Sequence, residues 1–300
     1  MSPIAFFAVD SGSDAVTAVD SASAPIVYAP TRFARSLWAP GTLNGPAVCA
    51  LAARAAEHDH SVPGFRPARF TIDLFKVARE VPTFTRGRLI RDGGRIKVAE
   101  TDVLQYDDQG AEVSVARSTT VFVRESTNPP GERWTRPAST IDFRPPPAAH
   151  DDPLPWFGSE TPDDDGTNQT AWDQDMGRHQ DGRRKRLWTR AVATVAGEEP
   201  SPFERSVISG ESTSLVCNWG DTGIGFINCD LTVALSRLPV GTRIGVEADT
   251  HIEIDGISTS TTCLYDTEGM FGVGMVTGVD NAAAEIDFTK VDRSGRYSEA

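Results

Sequence analysis

Apolar and polar positions along the chain fall into two series of the same kind. In the first, 44–57 is Ala-rich and apolar nearly all round, the pattern of a buried helix. Asn44 stands as its N-cap and Pro46 falls in the first turn. Strand-like runs follow at 70–78, 83–90, 95–105 and 112–124, and Ile96, Val98 and Val113, Val115 alternate as half-buried strands do. Asp92-Gly93-Gly94 and Asp108-Gln109-Gly110 are hairpin signals between them. The second series predicts a helix over 202–218 and strands over 225–237, 242–254, 257–265 and 270–279, with Asp255-Gly256 and Glu268-Gly269 as turns. An apolar run at 3–9, stopped by Asp10 and lacking a basic flank, reads as a first strand rather than a signal peptide.

The two series also share residues. Phe70-Thr71-Ile72-Asp73-Leu74 parallels Ile227-Asn228-Cys229-Asp230-Leu231, and Val81-Pro82 parallels Leu238-Pro239, both at an offset of 157. Tyr106-Asp107-Asp108-Gln109-Gly110 parallels Tyr265-Asp266-Thr267-Glu268-Gly269 at 159. A near-constant offset in constant order points to duplication. One helix followed by an antiparallel meander, twice, places the chain in the α+β class, each helix wrapped by a curved sheet. The expected division is a first repeat over 1–125, a Pro-rich acidic connection over 126–186, a second repeat over 187–285 and a tail over 286–300.

Charge sharpens that division. The 300 residues carry a formal net charge of −13, and eight acids with no Lys or Arg fall within 151–175. The acidity therefore belongs mainly to the connection. Binding of nucleic acid through bulk charge is not expected. Aromatic residues in the connection (Trp134, Phe143, Trp156, Phe157, Trp172) predict that parts of it pack over the sheets. Arg183-Arg184-Lys185-Arg186 is read as a solvated run offsetting nearby acids. No stretch approaches the roughly 18 apolar residues of a membrane-spanning helix. Cys49, Cys217, Cys229 and Cys263 show no C-x-x-C spacing, so reduced thiols, a cytoplasmic location and no metal are expected.

Several stretches resemble a known family. Ser36-Leu37-Trp38-Ala39-Pro40-Gly41-Thr42-Leu43-Asn44-Gly45, Arg91-Asp92-Gly93-Gly94-Arg95-Ile96, Phe226-Ile227-Asn228-Cys229-Asp230-Leu231-Thr232-Val233, Arg237-Leu238-Pro239 and Leu264-Tyr265-Asp266 are similar to acyl-CoA thioesterase II-type, double-hotdog proteins. The resemblance spans about residues 28–280. It implies two fused hotdog units, hydrolysis of acyl-CoA thioesters and no metal or other cofactor. It also implies a catalytic set of a helix Asp, a strand Thr and a late-strand Gln that orient and activate a water.

Carried over residue by residue, the Thr position falls on Asn228, whose amide still donates. The Gln position, counted from Gly269, falls on Thr277, and the Asp position falls near Gly210, next to Glu211. Asn228, Glu211 and Thr277 are thus the candidate catalytic residues. Asp73 and Asp230 occupy equivalent strands and read as a structural pair across the fused sheet. Arg88, Arg91 and Arg95, on a basic hairpin with Arg86 and Lys97, are candidates for the coenzyme A phosphates. The competing reading pairs these arginines with Glu100 and Asp102. The changed catalytic positions leave a second function open, an acyl-group binder without hydrolysis, and a third, action on a carrier-linked thioester. Exposed sheet edges predict a homo-oligomer. Gly-x-Ser-x-Gly, a P-loop, a Rossmann fingerprint and an Asp/His hydratase pair are absent.

Overall fold

The computed structural model describes residues 4–10, 25–37, 39–137, 143–146, 154–162 and 168–290. Its elements run β1 (Ala5–Val9), β2 (Val27–Pro30), α1 (Gly45–His60), β3 (Phe65–Leu74), β4 (Thr83–Asp92), β5 (Ile96–Tyr106) and β6 (Glu112–Arg124). They continue with β7 (Trp156–Pro162), β8 (Asn168–Asp173), β9 (Lys185–Arg190), β10 (Ala193–Val195), α2 (Pro202–Glu211) and α3 (Thr213–Asn218). The chain closes with β11 (Phe226–Asn228), β12 (Asp230–Leu235), β13 (Arg243–Ile254), β14 (Ile257–Asp266) and β15 (Gly269–Asp280).

The strands form one sheet whose order makes the duplication visible. The first repeat runs β2-β4-β5-β6-β3 and the second, in reverse, β12-β15-β14-β13-β9. β3 and β12 meet antiparallel at the centre, with Asp73 opposite Asp230 and Ile72 opposite Leu231. The two aspartates thus stand where the sequence repeat places them, across the fused sheet. Asp230 also closes an irregularity between β11 and β12: its carboxylate accepts the Thr277 N–H at 2.6 Å. The two helix N-caps, Asn44 and Ser201, lie 157 residues apart, the offset of the strand repeats.

Each helix starts for a local reason. Asn44 Oδ1 accepts the Ala47 N–H at 2.9 Å. Ser201 and Glu204 form a reciprocal capping box. α1 is buried on nearly every face, Ala47 to Ala53 included. Small side chains let the sheet wrap closely, and Phe70 meets Phe203 edge-on at 6.1 Å between the repeats. Each such buried ring contributes about 1.5–3 kcal/mol by area.

Three expectations change. The 202–218 helix breaks at Ser212 into α2 and α3, where Ser212 N–H bonds Ser209 O and the Thr213 hydroxyl bonds Gly210 O at 2.6 Å. β3 begins at Phe65 and runs through Pro67, tolerated because the pairing with β6 shifts register there. The 126–186 connection is not only a tether. β7 pairs with β9 and carries β8 at the sheet edge. Phe143 stacks on Tyr265, centroids 4.6 Å apart, over the outer face of the second repeat. Asp151, Asp152, Asp163, Asp164 and Asp165 of the acidic block lie outside the described residues, as does 291–300 of the tail.

The basic run is also corrected. Lys185 and Arg186 open β9 and are buried, each 2% exposed or less. Arg186 Nε pairs with Glu247 at 2.7 Å, Tyr265 donates to the same carboxylate at 2.9 Å, and Lys185 Nζ pairs with Asp181 at 2.7 Å. Strand pairing brings Glu247, distant in sequence, onto Arg186, and Asp181, four residues upstream, turns onto Lys185, so neither cation needs solvent.

Candidate active site

α1 and α2 pack against each other, and the end of α2 meets the start of α1. There a cavity of about 270 Å³ opens, walled by apolar side chains that include Phe33, Phe157, Leu187 and Phe288. Glu211, Asn228, Asn44 and Gly45 contribute its polar surface. Both repeats and the connection build it, since Phe157 lies on β7.

Glu211 is the last residue of α2. Its carboxylate fills the space beside Gly45 Cα: a Cβ at position 45 would lie 2.7 Å from the carboxyl carbon and closer still to Oε1. Glycine at 45 therefore admits the acid to the N-terminus of α1. Burial pushes the Glu211 pKa up to about 8, and hydrogen bonding from Asn228 opposes part of that rise. Asn228 also donates to Asp230 O at 3.2 Å, which fixes its carboxamide at the β11–β12 break.

Gly210 faces the sheet. A Cβ there would lie 2.6 Å from Val233 Cγ2, so packing against β12 excludes a side chain. The neighbouring Glu211, about 100° further round the helix, is the acid that reaches the cavity. Glu211 and Asn228 are thus brought together.

Thr277 is not. On β15, Phe271, Val276 and the glycines at 272, 274 and 278 are buried, whereas Val273, Met275 and Val279 are exposed. Strand alternation puts Thr277 on that outer face, away from the cavity. Counting from Gly269 fixes its number in the strand but not its side. Gly278, opposite Asn228, supplies the inner position and has no side chain.

The arginine hairpin is equally remote. Gly87 packs beside His60, the last residue of α1, while the cavity lies at Gly45, its first. A helix of 16 residues is about 24 Å long. Arg88 pairs with Glu100 at 2.6 Å, Arg86 with Glu112 at 2.8 Å and Arg117 with Asp102 at 2.8 Å. Cross-strand pairing thus engages Arg88, and neither Arg91 nor Arg95 lines the cavity.

The repeat would provide a second site, and that site is closed. The residue 157 before Glu211 is Arg54, which forms a two-pronged pair with Glu198 at 2.6 and 2.7 Å. Glu57, beside it, accepts the Ser201 hydroxyl at the start of α2. Among the described residues, no group of three or more His, Cys, Asp or Glu side chains is placed to hold a metal.

Sequence reading finds Glu211 and Asn228 but misses Gly45 and the closing residues Ile286 and Phe288. The Gly-Pro step after an N-cap Asn was visible, but its meeting with α2 was not, because it joins positions 166 residues apart. Ile286 and Phe288 sit in the expected tail and reach the wall through an isolated bridge from Ile286 to Ile224.

Known proteins place this geometry. Residues 34–123 match the acyl-CoA thioesterase N-terminal domain and 142–275 match the acyl-CoA thioesterase C-terminal domain. No curated protein matches the chain by sequence. Among solved structures, a putative thioesterase II from Thermobifida fusca superposes with a TM-score of 0.60 at 12% identity, covering 91% of this chain and 98% of that one. A conserved hot dog-fold protein from Alicyclobacillus acidocaldarius gives 0.57 at 13%, with the same coverage. An acyl-CoA thioesterase II from Mycobacterium marinum gives 0.53 at 13%, covering 77% and 87%. Such identities speak for the fold, a double hotdog, and among the described residues no helix is long and apolar enough to cross a membrane. With both domain matches together covering more than half its length, the chain belongs to the acyl-CoA thioesterase family.

Proposed function

We propose that the protein hydrolyses acyl-CoA thioesters at the Glu211–Asn228–Gly45 cavity. The observation that carries this is a buried carboxylate of raised pKa at the polar end of an apolar chamber, against a helix N-terminus. The acyl chain lies along the apolar wall and the thioester carbonyl sits near Gly45. As the first residue of α1, Gly45 has no acceptor within the helix for its N–H. That group and the helix dipole suit a developing oxyanion. Ionised Glu211 takes a proton from water as the water oxygen bonds the carbonyl carbon, and Asn228 orients that water. Collapse of the tetrahedral adduct breaks the C–S bond, and the thiolate leaves with the proton held by Glu211. The products are a carboxylic acid and free coenzyme A.

The binder without hydrolysis loses its motive, because Gly210 answers to packing and Glu211 supplies an acid. A cytoplasmic location suits a coenzyme A substrate and four free thiols. Self-association suits the unpaired edge strands β10 and β8. Thiol release from an acyl-CoA series tests the reaction. Turnover by the wild type that falls by about 10²-fold or more in Glu211→Gln supports it. Turnover unchanged in that variant, or absent in the wild type, overturns it.

A further inference from the structure

Two aromatic rings of the chamber wall back onto a third. Phe288 and Phe157 form part of that wall, and Trp219 packs behind both, with centroid distances of 5.0 and 5.9 Å. Trp219 does not line the chamber. It lines a separate groove of about 610 Å³, shared with Cys217, Phe226 and Ala248. An aromatic layer two rings deep therefore separates the acyl chamber from a second, larger space.

That layer is anchored from one side only. The Phe288 N–H donates to Gln180 Oε1 at 2.8 Å, and the same Gln180 amide donates to Asp287 at 2.9 Å and to Thr222 O at 3.3 Å. Trp219 is 4% exposed, and among the described residues its indole N–H has no hydrogen-bond partner. Ring contacts hold the indole: Phe288, Phe157 and His179 meet it edge-on, and Lys185 Nζ lies 5.7 Å from its centroid.

The volume sets the substrate class. The chamber measures about 270 Å³. Ligand pockets for drug-sized molecules start at about 300 Å³. We propose that Phe288, backed by Trp219, forms the wall that limits acyl length, making the protein selective for short- and medium-chain acyl thioesters over long ones. This rests on the chamber being the acyl site of the proposed hydrolase.

The test uses the full-length chain with acetyl-, butyryl-, octanoyl-, dodecanoyl- and palmitoyl-CoA. In parallel, calorimetry follows binding of S-alkyl-CoA thioethers of the same chain lengths, which cannot be hydrolysed. The wild type is expected to lose about tenfold or more in kcat/KM, and in thioether affinity, between octanoyl and palmitoyl lengths. Phe288→Ala is expected to deepen the chamber, and Phe288→Ala combined with Trp219→Ala to join the two spaces; both are expected to recover about tenfold for the long chains relative to the octanoyl length. An unchanged far-UV circular dichroism spectrum and a cooperative thermal melt show that a variant is folded. Phe288→Leu, which keeps an apolar filler, serves as the milder variant if either alanine variant is not.

Palmityl thioether binding as tight as octyl binding in the wild type overturns the wall. So do folded variants with an unshifted profile. Length-limited binding without turnover instead keeps the wall and overturns the hydrolytic reading, and an absence of binding at every length overturns both.

Discussion

The Glu211 carboxylate lies where a Cβ on Gly45 would stand, so the end of α2 and the start of α1 fit together only with glycine at 45. Gly45 sits in ordinary helical backbone, outside the positive-φ glycines. Gly45→Ala therefore costs nothing in conformation and gains helix propensity of about 1 kcal/mol. Its penalty falls on placement of the acid. We expect thiol release to drop by about 10²-fold, while the thermal unfolding midpoint stays within a few degrees of the wild type.

The Glu211 pKa of about 8 sets the pH dependence. A general base works when ionised, and burial keeps this one neutral at lower pH. In a kcat/KM profile, activity is expected to rise about tenfold per pH unit up to an inflection near the free-enzyme pKa, then level off. A profile already flat at pH 6 to 7 would assign the base elsewhere.

The same shift acts on stability. The folded pKa lies above the ordinary value of 4.5, so the native state holds a proton that the unfolded chain releases. This stabilisation is fully present below about pH 4.5 and is lost as pH rises through about 8, at about 1.4 kcal/mol per pH unit. Glu211→Gln removes the dependence. Relative to the wild type, the variant should gain unfolding free energy from pH 5 to pH 8 in paired denaturant melts.

Much of the fold was legible from local pattern. The alternation in β5 and β6 and the Asp255-Gly256 turn, with φ of 52° and 78°, follow from spacing and turn chemistry. The repeat offset placed Asp73 against Asp230 before any contact was known. The site was half legible. Glu211 and Asn228 could be found by position, but which side of β15 Thr277 faces depends on register, and one residue of shift inverts it. The partner of Arg186 lay beyond local reading too. Glu247 is 61 residues from Arg186, and only sheet pairing brings it there.

Outward-facing Thr277 and remote Arg88 predict two silent substitutions. Thr277→Val keeps the backbone N–H that Asp230 accepts and removes only a hydroxyl on the outer face. Arg88→Ala breaks an exposed pair worth under about 1 kcal/mol. Both should leave kcat and KM for acyl-CoA within about twofold. A tenfold fall in kcat for Thr277→Val would restore it to the reacting centre, and a tenfold rise in KM for Arg88→Ala would restore the hairpin as a phosphate site.

Arg237 and Asp266 form an asymmetric pair, and the asymmetry predicts which half matters more. The Asp266 side chain is fully buried, while Arg237 is 28% exposed. Two guanidinium nitrogens and the N–H groups of Val240 and Glu268 converge on the carboxylate. Burial alone would raise its pKa, but these donors outweigh burial and hold it below the ordinary value. Removing the cation leaves a buried carboxylate with backbone donors alone, whereas removing the acid leaves a guanidinium that water can reach. Arg237→Ala should therefore cost about 3 kcal/mol or more at neutral pH, and Asp266→Ala less. Because the folded pKa is depressed, the stability the pair provides is fully present above the ordinary Asp pKa and is lost as pH falls from there through the lower folded pKa. Melts at pH 7 and pH 3 should accordingly separate Arg237→Ala from the wild type widely at the higher pH and narrowly at the lower.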